Sequence, residues 1–277
     1  MKVKKMLESK KNGSKKEIEI VEFDSLNEFY KYITETEVNN AFKNLPLHSV
    51  TGSKKFTGTD TFSEAVNLFK YGWKEEAENL TQKLKAIEKE TMVKTKQKPC
   101  LSVAGYQVVV PLYLQGLPNN MVNKKMVPVK QKVVTINKPI SYAAKITKEQ
   151  ILEESIKALQ MIKKIESQGV RCNLNIAWAV NADNKTIIVK IKVKSANEKM
   201  NISKLAFPLV HPSMLRRLAF RFLEVYPGVT QKFTCGYGYP LSSYAMKKYF
   251  DEKEYILPRF MKQEVNSVND LDNLILD

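Results

Sequence analysis

The chain has 277 residues, 43% of them hydrophobic, and a formal net charge of +16. That length and apolar content fit one large domain or two small ones and exclude a disordered chain. No long apolar run occurs, so no membrane span is expected, and the charged start Met1–Glu17 has no apolar stretch behind it, so it does not read as a secretory signal. Cys100, Cys172 and Cys235 lie far apart, and His48 and His211 are isolated. Reduced cytosolic thiols are expected, with no metal centre. A chain this basic is drawn to polyanions.

Residues 1–16 carry seven lysines and one glutamate and read as a flexible basic arm. Residues 17–98 read as a mainly helical region, opened by a short alternating strand, Glu17–Phe23. Asp24-Ser25 starts a helix with Leu26, Phe29, Tyr30 and Ile33 at helical spacing, and Pro46 ends that unit. Thr61 and Glu64 have capping-box spacing ahead of a second helix. Gly72 stops it and Trp73 packs back on its apolar face. Residues 74–98 read as one long polar helix.

Residues 99–257 read as an α/β domain. From Thr91 to Lys148 the chain has no Asp or Glu, yet ten Lys. Positive charge is concentrated there, and the carboxylates that metal or acid–base chemistry would use are missing. Val108–Leu114 reads as a buried strand leading to a turn at Gly116-Leu117-Pro118, and Val127–Ile136 as an alternating strand. Lys132–Asn137 is followed by a helix from about Thr147 to Gln168. Thr147 and Gln150 cap it, Ile151, Ile156, Leu159, Ile162 and Ile165 face inward, and Gly169 ends it. Alternation predicts strands over Val170–Val180 and Thr186–Lys194, and His211-Pro212-Ser213 opens a helix from Met214 to about Tyr226. Strand, helix, strand, strand, helix argues for a sheet with a right-handed crossover. Residues 258–277 turn acidic and end in apolar residues, which predicts a tail helix that docks on a partner or on its own domain.

The stretch 132–180 resembles the first βαβ unit of von Willebrand A-like domains. Thr135-Ile136-Asn137-Lys138-Pro139-Ile140-Ser141 stands where those domains carry an Asp-x-Ser-x-Ser metal loop, and Gln168-Gly169-Val170-Arg171 stands where their next strand begins. The resemblance implies an A-like sheet flanked by helices, here with a helical N-terminal extension. Asn137 replaces the metal-holding Asp and Lys138 brings a cation to the ion's place, so no divalent metal is expected. Two further patterns, Leu205-Ala206-Phe207 with His211-Pro212 and Arg216–Phe220, and Phe56–Thr59 with Tyr71-Gly72-Trp73, are similar to uncharacterised bacteriophage proteins. That resemblance implies a phage setting and brings no function.

No acid pair, His/Asp pair or phosphate loop is recognisable, so neither a catalytic residue nor a cofactor is expected. The expected function is binding: a basic, non-enzymatic phage protein that contacts nucleic acid or a phage assembly, in the host cytoplasm or the virion. Lys124, Lys125, Lys130, Lys132 and Lys138 are expected contacts in the acid-free window. Arg216, Arg217 and Arg221 hold three of the five arginines, with Arg217 and Arg221 on one helix face and Leu215, Leu218 and Phe222 on the other. Tyr237 and Tyr239, in the Gly-Tyr-Gly-Tyr segment after Cys235, are expected to stack on bases. One alternative is a virion or protein-interaction module with a protein partner or a second copy. Another is an enzyme acting on nucleic acid with acids drawn from Asp24, Asp60 and Glu64.

Overall fold

Alternating sequence at the start of the chain builds one edge of a sheet. The computed structural model describes residues 1–9, 15–85, 95–128, 131–181, 185–229, 237 and 239–274. Strands β1 (Lys2–Ser9) and β2 (Lys15–Phe23) pair antiparallel. Of the stretch expected as a flexible arm, residues 2–9 are an edge strand, and residues 10–14 lie outside the described residues. Lys5 is compensated across the ladder, reaching Glu19 at 2.8 Å and Glu17 at 3.8 Å.

Helix α1 (Leu26–Glu35) begins where expected, with the Ser25 side chain accepting from Glu28 N, and it buries Phe29 and Ile33. Two single-turn helices follow, α2 (His48–Thr51) and α3 (Lys54–Thr57). Thr61 caps α4 (Phe62–Tyr71), but the Glu64 carboxylate accepts from Asp60 N at 2.7 Å instead of closing the box on Thr61. Gly72 ends α4 at φ 85°. Helix α5 (Lys74–Lys85) buries Ala77, Leu80 and Leu84. It does not run to residue 98, because the chain is extended again from Thr95.

A separate three-stranded sheet comes next: β3 (Thr95–Ser102), β4 (Gln107–Val108) and β5 (Met121–Pro128), in the order β3-β5-β4, with the short helix α6 (Val110–Leu114) inserted before β5. The expected buried strand Val108–Leu114 is thus one strand residue, Val108, a linking Val109 and one helical turn, none of them buried. A short apolar run does not tell strand from helix. Pro111, which has no N–H for a ladder, sits in the first turn of α6, where none is needed.

The expected crossover is present. Strand β6 (Val133–Pro139), helix α7 (Lys148–Ser167) and strand β7 (Arg171–Asn181) form a parallel βαβ unit, and β8 (Lys185–Lys194) returns antiparallel. The Thr147/Gln150 capping box closes on both sides. An unexpected helix, α8 (Ile202–Val210), precedes the His-Pro-Ser start. A π-helical turn (Met214–Ala219) then leads into α9 (Phe220–Val225). Strand β9 (Tyr239–Pro240), helix α10 (Ser243–Lys247), strand β10 (Glu254–Ile256) and helix α11 (Val268–Asp272) complete the described elements.

The main sheet runs β1-β2-β8-β7-β6-β10, with β9 joining β7. One face carries the larger core, where the Trp178 ring meets Phe29 at 5.7 Å and Phe222 at 6.1 Å, edge-on. The other face packs Ile18, Ile20, Ala177, Ala179 and Ile188 against Met246. The result is a mixed α/β sheet flanked by helices, and it begins at β1, not at residue 99. Val268 and Leu271 of the acidic tail are buried in the larger core, so the tail docks on its own domain. Among the described residues no helix is long and apolar enough to cross a membrane.

Candidate nucleic-acid interface

The acid-free window maps onto the small sheet. Strands β3 and β5 are long enough to pair over eight residues, and their register sets Lys98 directly opposite Lys125. Like charges facing each other across a ladder repel, and the segment 95–128 contains no carboxylate to offset them. The neighbouring pair, Pro99 and Lys124, points to the opposite face. There the Lys124 ammonium lies 5.3 Å from the centroid of the Tyr106 ring. From Gln97 to Lys125 no residue is buried. Tyr106, Tyr113 and Leu114 are 60%, 62% and 78% exposed, and Leu101 and Val103 are open as well. The strands pair only with one another, and none of these residues enters either core.

The arginines expected as a phosphate-gripping face do something else. Arg217 is fully buried. Its Nε donates to Thr59 Oγ1 at 2.7 Å, its Nη1 to the carbonyls of Ser49 and Val50 at 2.8 and 3.1 Å, and its Nη2 to those of Gly52, Thr59 and Asp60 at 2.8–3.1 Å. Arg216 is also buried, stacks 4.5 Å from the Phe56 ring and donates to the Phe56 and Ile146 carbonyls at 2.7 and 3.0 Å. Arg221 is half-buried, with its Nε on the Ile33 carbonyl and a terminal nitrogen 3.7 Å from Glu224. Consecutive helical side chains point about 100° apart. Both Arg216 and Arg217 are covered because residues 49–60 wrap one side of the π-turn and residues 143–146 the other.

The patterns around Phe56–Thr59 and His211–Phe220 are therefore halves of one clamp. Ser213 Oγ donates to the Thr57 carbonyl at 2.6 Å and lies 3.0 Å from Thr59 Oγ1, 154 residues away in sequence. Gly58 sits at φ 86°, and a Cβ there would come within 3.0 Å of the His211 ring. His211 Nδ1 accepts from Ser213 N at 3.1 Å, and the ring stacks on Phe207 and meets Trp73 edge-on. Burial, with some help from the nearby Lys148, pushes the His211 imidazole down to about 4.

Lys138 is fully buried too. Its ammonium lies 3.3 Å from Glu154 Oε2 and 3.4 Å from the Arg259 carbonyl, while Glu154 Oε1 accepts from Met261 N at 2.7 Å. Asn137 donates to Glu254 and accepts from Asn175. The end of β6 thus holds an internal cation on a helix carboxylate, and Lys138 has nothing to offer a phosphate. Tyr237 is no open stacking platform. Its hydroxyl donates to Glu224 at 2.5 Å and its ring packs among Phe42, His48 and Phe220. Burial first, and then that carboxylate, hold its phenol far above the ordinary range. Tyr239 lies in β9 at the β7 edge. Lys124, Lys125 and Lys132 are exposed, and Lys130 and Cys235 fall outside the described residues. Lys98, Tyr106 and Tyr113 escaped the sequence reading. The missing acids marked their neighbourhood, but only strand register puts Lys98 against Lys125.

The acids considered for catalysis are each engaged elsewhere in the fold. Asp24 pairs with Lys2, Asp60 with Lys54, and Glu64 holds a backbone N–H. Among the described residues no cluster of three His, Cys, Asp or Glu could hold a metal ion. A cleft of about 370 Å³ between α1, α4 and α8 is walled by Tyr30, Phe69, Lys70, Tyr71 and Lys204, with no carboxylate or histidine. Burial raises the Cys172 thiol to about 12, which makes it an inert core group. Fold and site define a mixed α/β protein with an added cationic three-stranded sheet. A family model described as a domain of unknown function, DUF7192, matches residues 8–275, and the chain belongs to that family. No curated protein and no solved structure matches it.

Proposed function

We propose that the chain is a non-enzymatic nucleic-acid-binding protein of a phage, working in the host cytoplasm or the virion, with the small sheet as its contact surface. The observation that carries this reading is the Lys98/Lys125 pair on a sheet that has no acid and whose residues 97–125 bury nothing. Phosphates supply the counter-charge that the sheet lacks. The main sheet serves as the scaffold. Its β6-α7-β7 unit with the antiparallel β8 supports an A-domain-like reading in which the Lys138 ammonium on Glu154 takes the ion's place. The exposed apolar side chains of the small sheet favour a second reading, docking on a protein partner.

The experiment is a salt titration of binding to a labelled oligonucleotide, followed by fluorescence anisotropy. Lys96, Lys98, Lys124 and Lys125 are the lysines of the small sheet. If each neutralises one phosphate, the log–log slope is about −3 on a single strand and about −4 on duplex. No binding at low salt, or binding that ignores salt, rejects the proposal.

A further inference from the structure

We infer that the small sheet selects single-stranded nucleic acid over duplex, an inference that rests on the nucleic-acid reading above. Charge alone does not distinguish the two forms, since both present phosphates. The apolar side chains do. Tyr106, Tyr113 and Leu114 are more than half exposed, Tyr106 even with the Lys124 ammonium over its ring. A duplex hides its base faces in the stack and would leave these groups in water. A single strand offers base faces and phosphates together, and aromatic rings take any base because every base has a π-face.

The geometry at Tyr106 joins the two needs. Lys124 stands 5.3 Å from that ring's centroid, so a base stacked on Tyr106 brings its own phosphate toward the same ammonium. Lys98 and Lys125 meet on the opposite face of the ladder, so only a strand that wraps around the edge of the sheet finds cations on both faces. A second copy of the chain fits less well. It would bring another +16 chain against an acid-free surface. A protein partner would have to supply both acidic and flat apolar groups, whereas every nucleotide carries one of each.

The test uses the full chain and a labelled single strand of about 20 nucleotides, its duplex, and vesicles of mixed neutral and anionic lipid, all at about 150 mM salt. The single strand is expected to bind at least about tenfold tighter than the duplex. Tyr106→Ala and Tyr113→Ala should each weaken single-strand binding roughly five- to hundredfold and leave duplex binding unchanged. Lys98→Ala/Lys125→Ala should weaken both. Circular dichroism checks that the variants fold, which the exposure of all four positions favours. Equal affinity for both forms, or no response to the tyrosine changes, overturns this inference and leaves the nucleic-acid reading standing. Failure to bind either form rejects both readings. Capture by anionic vesicles without oligonucleotide binding rejects both as well and makes the sheet a membrane-surface element.

Discussion

Arg217 shows how little a charge in the sequence says about where that charge goes. All of its contacts are carbonyls and one hydroxyl, with no carboxylate among them. A planar fork of five N–H donors can hold such a set, and an ammonium cannot. Arg217→Lys should therefore destabilise the fold by about 3 kcal/mol or more, because buried carbonyls lose their donors; urea unfolding measures it. A loss below about 0.5 kcal/mol would return Arg217 to the surface. His211 makes a pH-dependent contribution. Its folded pKa of about 4 lies below the usual 6.5, so between these values the unfolded chain binds the proton and the folded chain does not. Stability is then full above pH 6.5 and falls as pH drops toward 4. Wild type should be about 2 kcal/mol less stable at pH 5 than at pH 7. His211→Asn, whose side-chain oxygen can still accept from Ser213 N, should flatten that slope.

At the scale of elements, the main body and the small sheet differ in what holds them. Strands β6–β8 and the inner face of helix α7 are fixed by burial in the main core, and removing any of them opens it. The small sheet rests on its own ladder, and none of its residues from Gln97 to Lys125 enters either core. Replacing residues 97–125 with a short Gly/Ser linker should leave the stability of the body within about 1 kcal/mol and abolish oligonucleotide binding. Loss of folding in this deletion would mean that the sheet supports the body. Retained binding would move the interface elsewhere, with the exposed Lys132 beside it as the next position to change.

Over the whole molecule, the +16 charge is unevenly spent. In the body, carboxylates meet many of the lysines: Lys185 with Glu19 at 3.0 Å, Lys190 with Glu22 at 2.6 Å, Lys194 with Glu166 at 2.6 Å and Lys248 with Glu8 at 2.6 Å. Burial alone would raise the Glu19 carboxyl, but Lys5, Lys185 and the Tyr226 hydroxyl hold it below the usual range. The small sheet contains no carboxylate of its own. Surface lysines of the two regions should then act differently on binding. Lys54→Ala and Lys157→Ala, at exposed ion pairs with Asp60 and Glu153, should change neither the stability by more than about 0.5 kcal/mol nor the salt slope. Lys98→Ala should flatten the single-strand slope by about 0.7. Equal effects from all three would show that binding follows net charge alone.

The sequence by itself determined the crossover unit and its caps. Thr147 with Gln150, Ser25 ahead of α1, the stripe Ile151–Ile165 and the alternation of β7 and β8 are local signals, and local hydrogen bonds and face periodicity decide them. It also marked the acid-free window, since composition survives folding unchanged. Only the tertiary structure decided which charges are available. Lys138, Arg216, Arg217 and Tyr237 look like surface groups in a linear reading, yet each finds partners from distant segments that bury it. The run Val108–Leu114 looks like core and is left in the open. Periodicity tells which face a side chain takes, but what covers that face depends on pairings across 160 residues, as between Arg216 and Phe56, and more, as between Arg221 and Ile33, and such pairings leave no local trace.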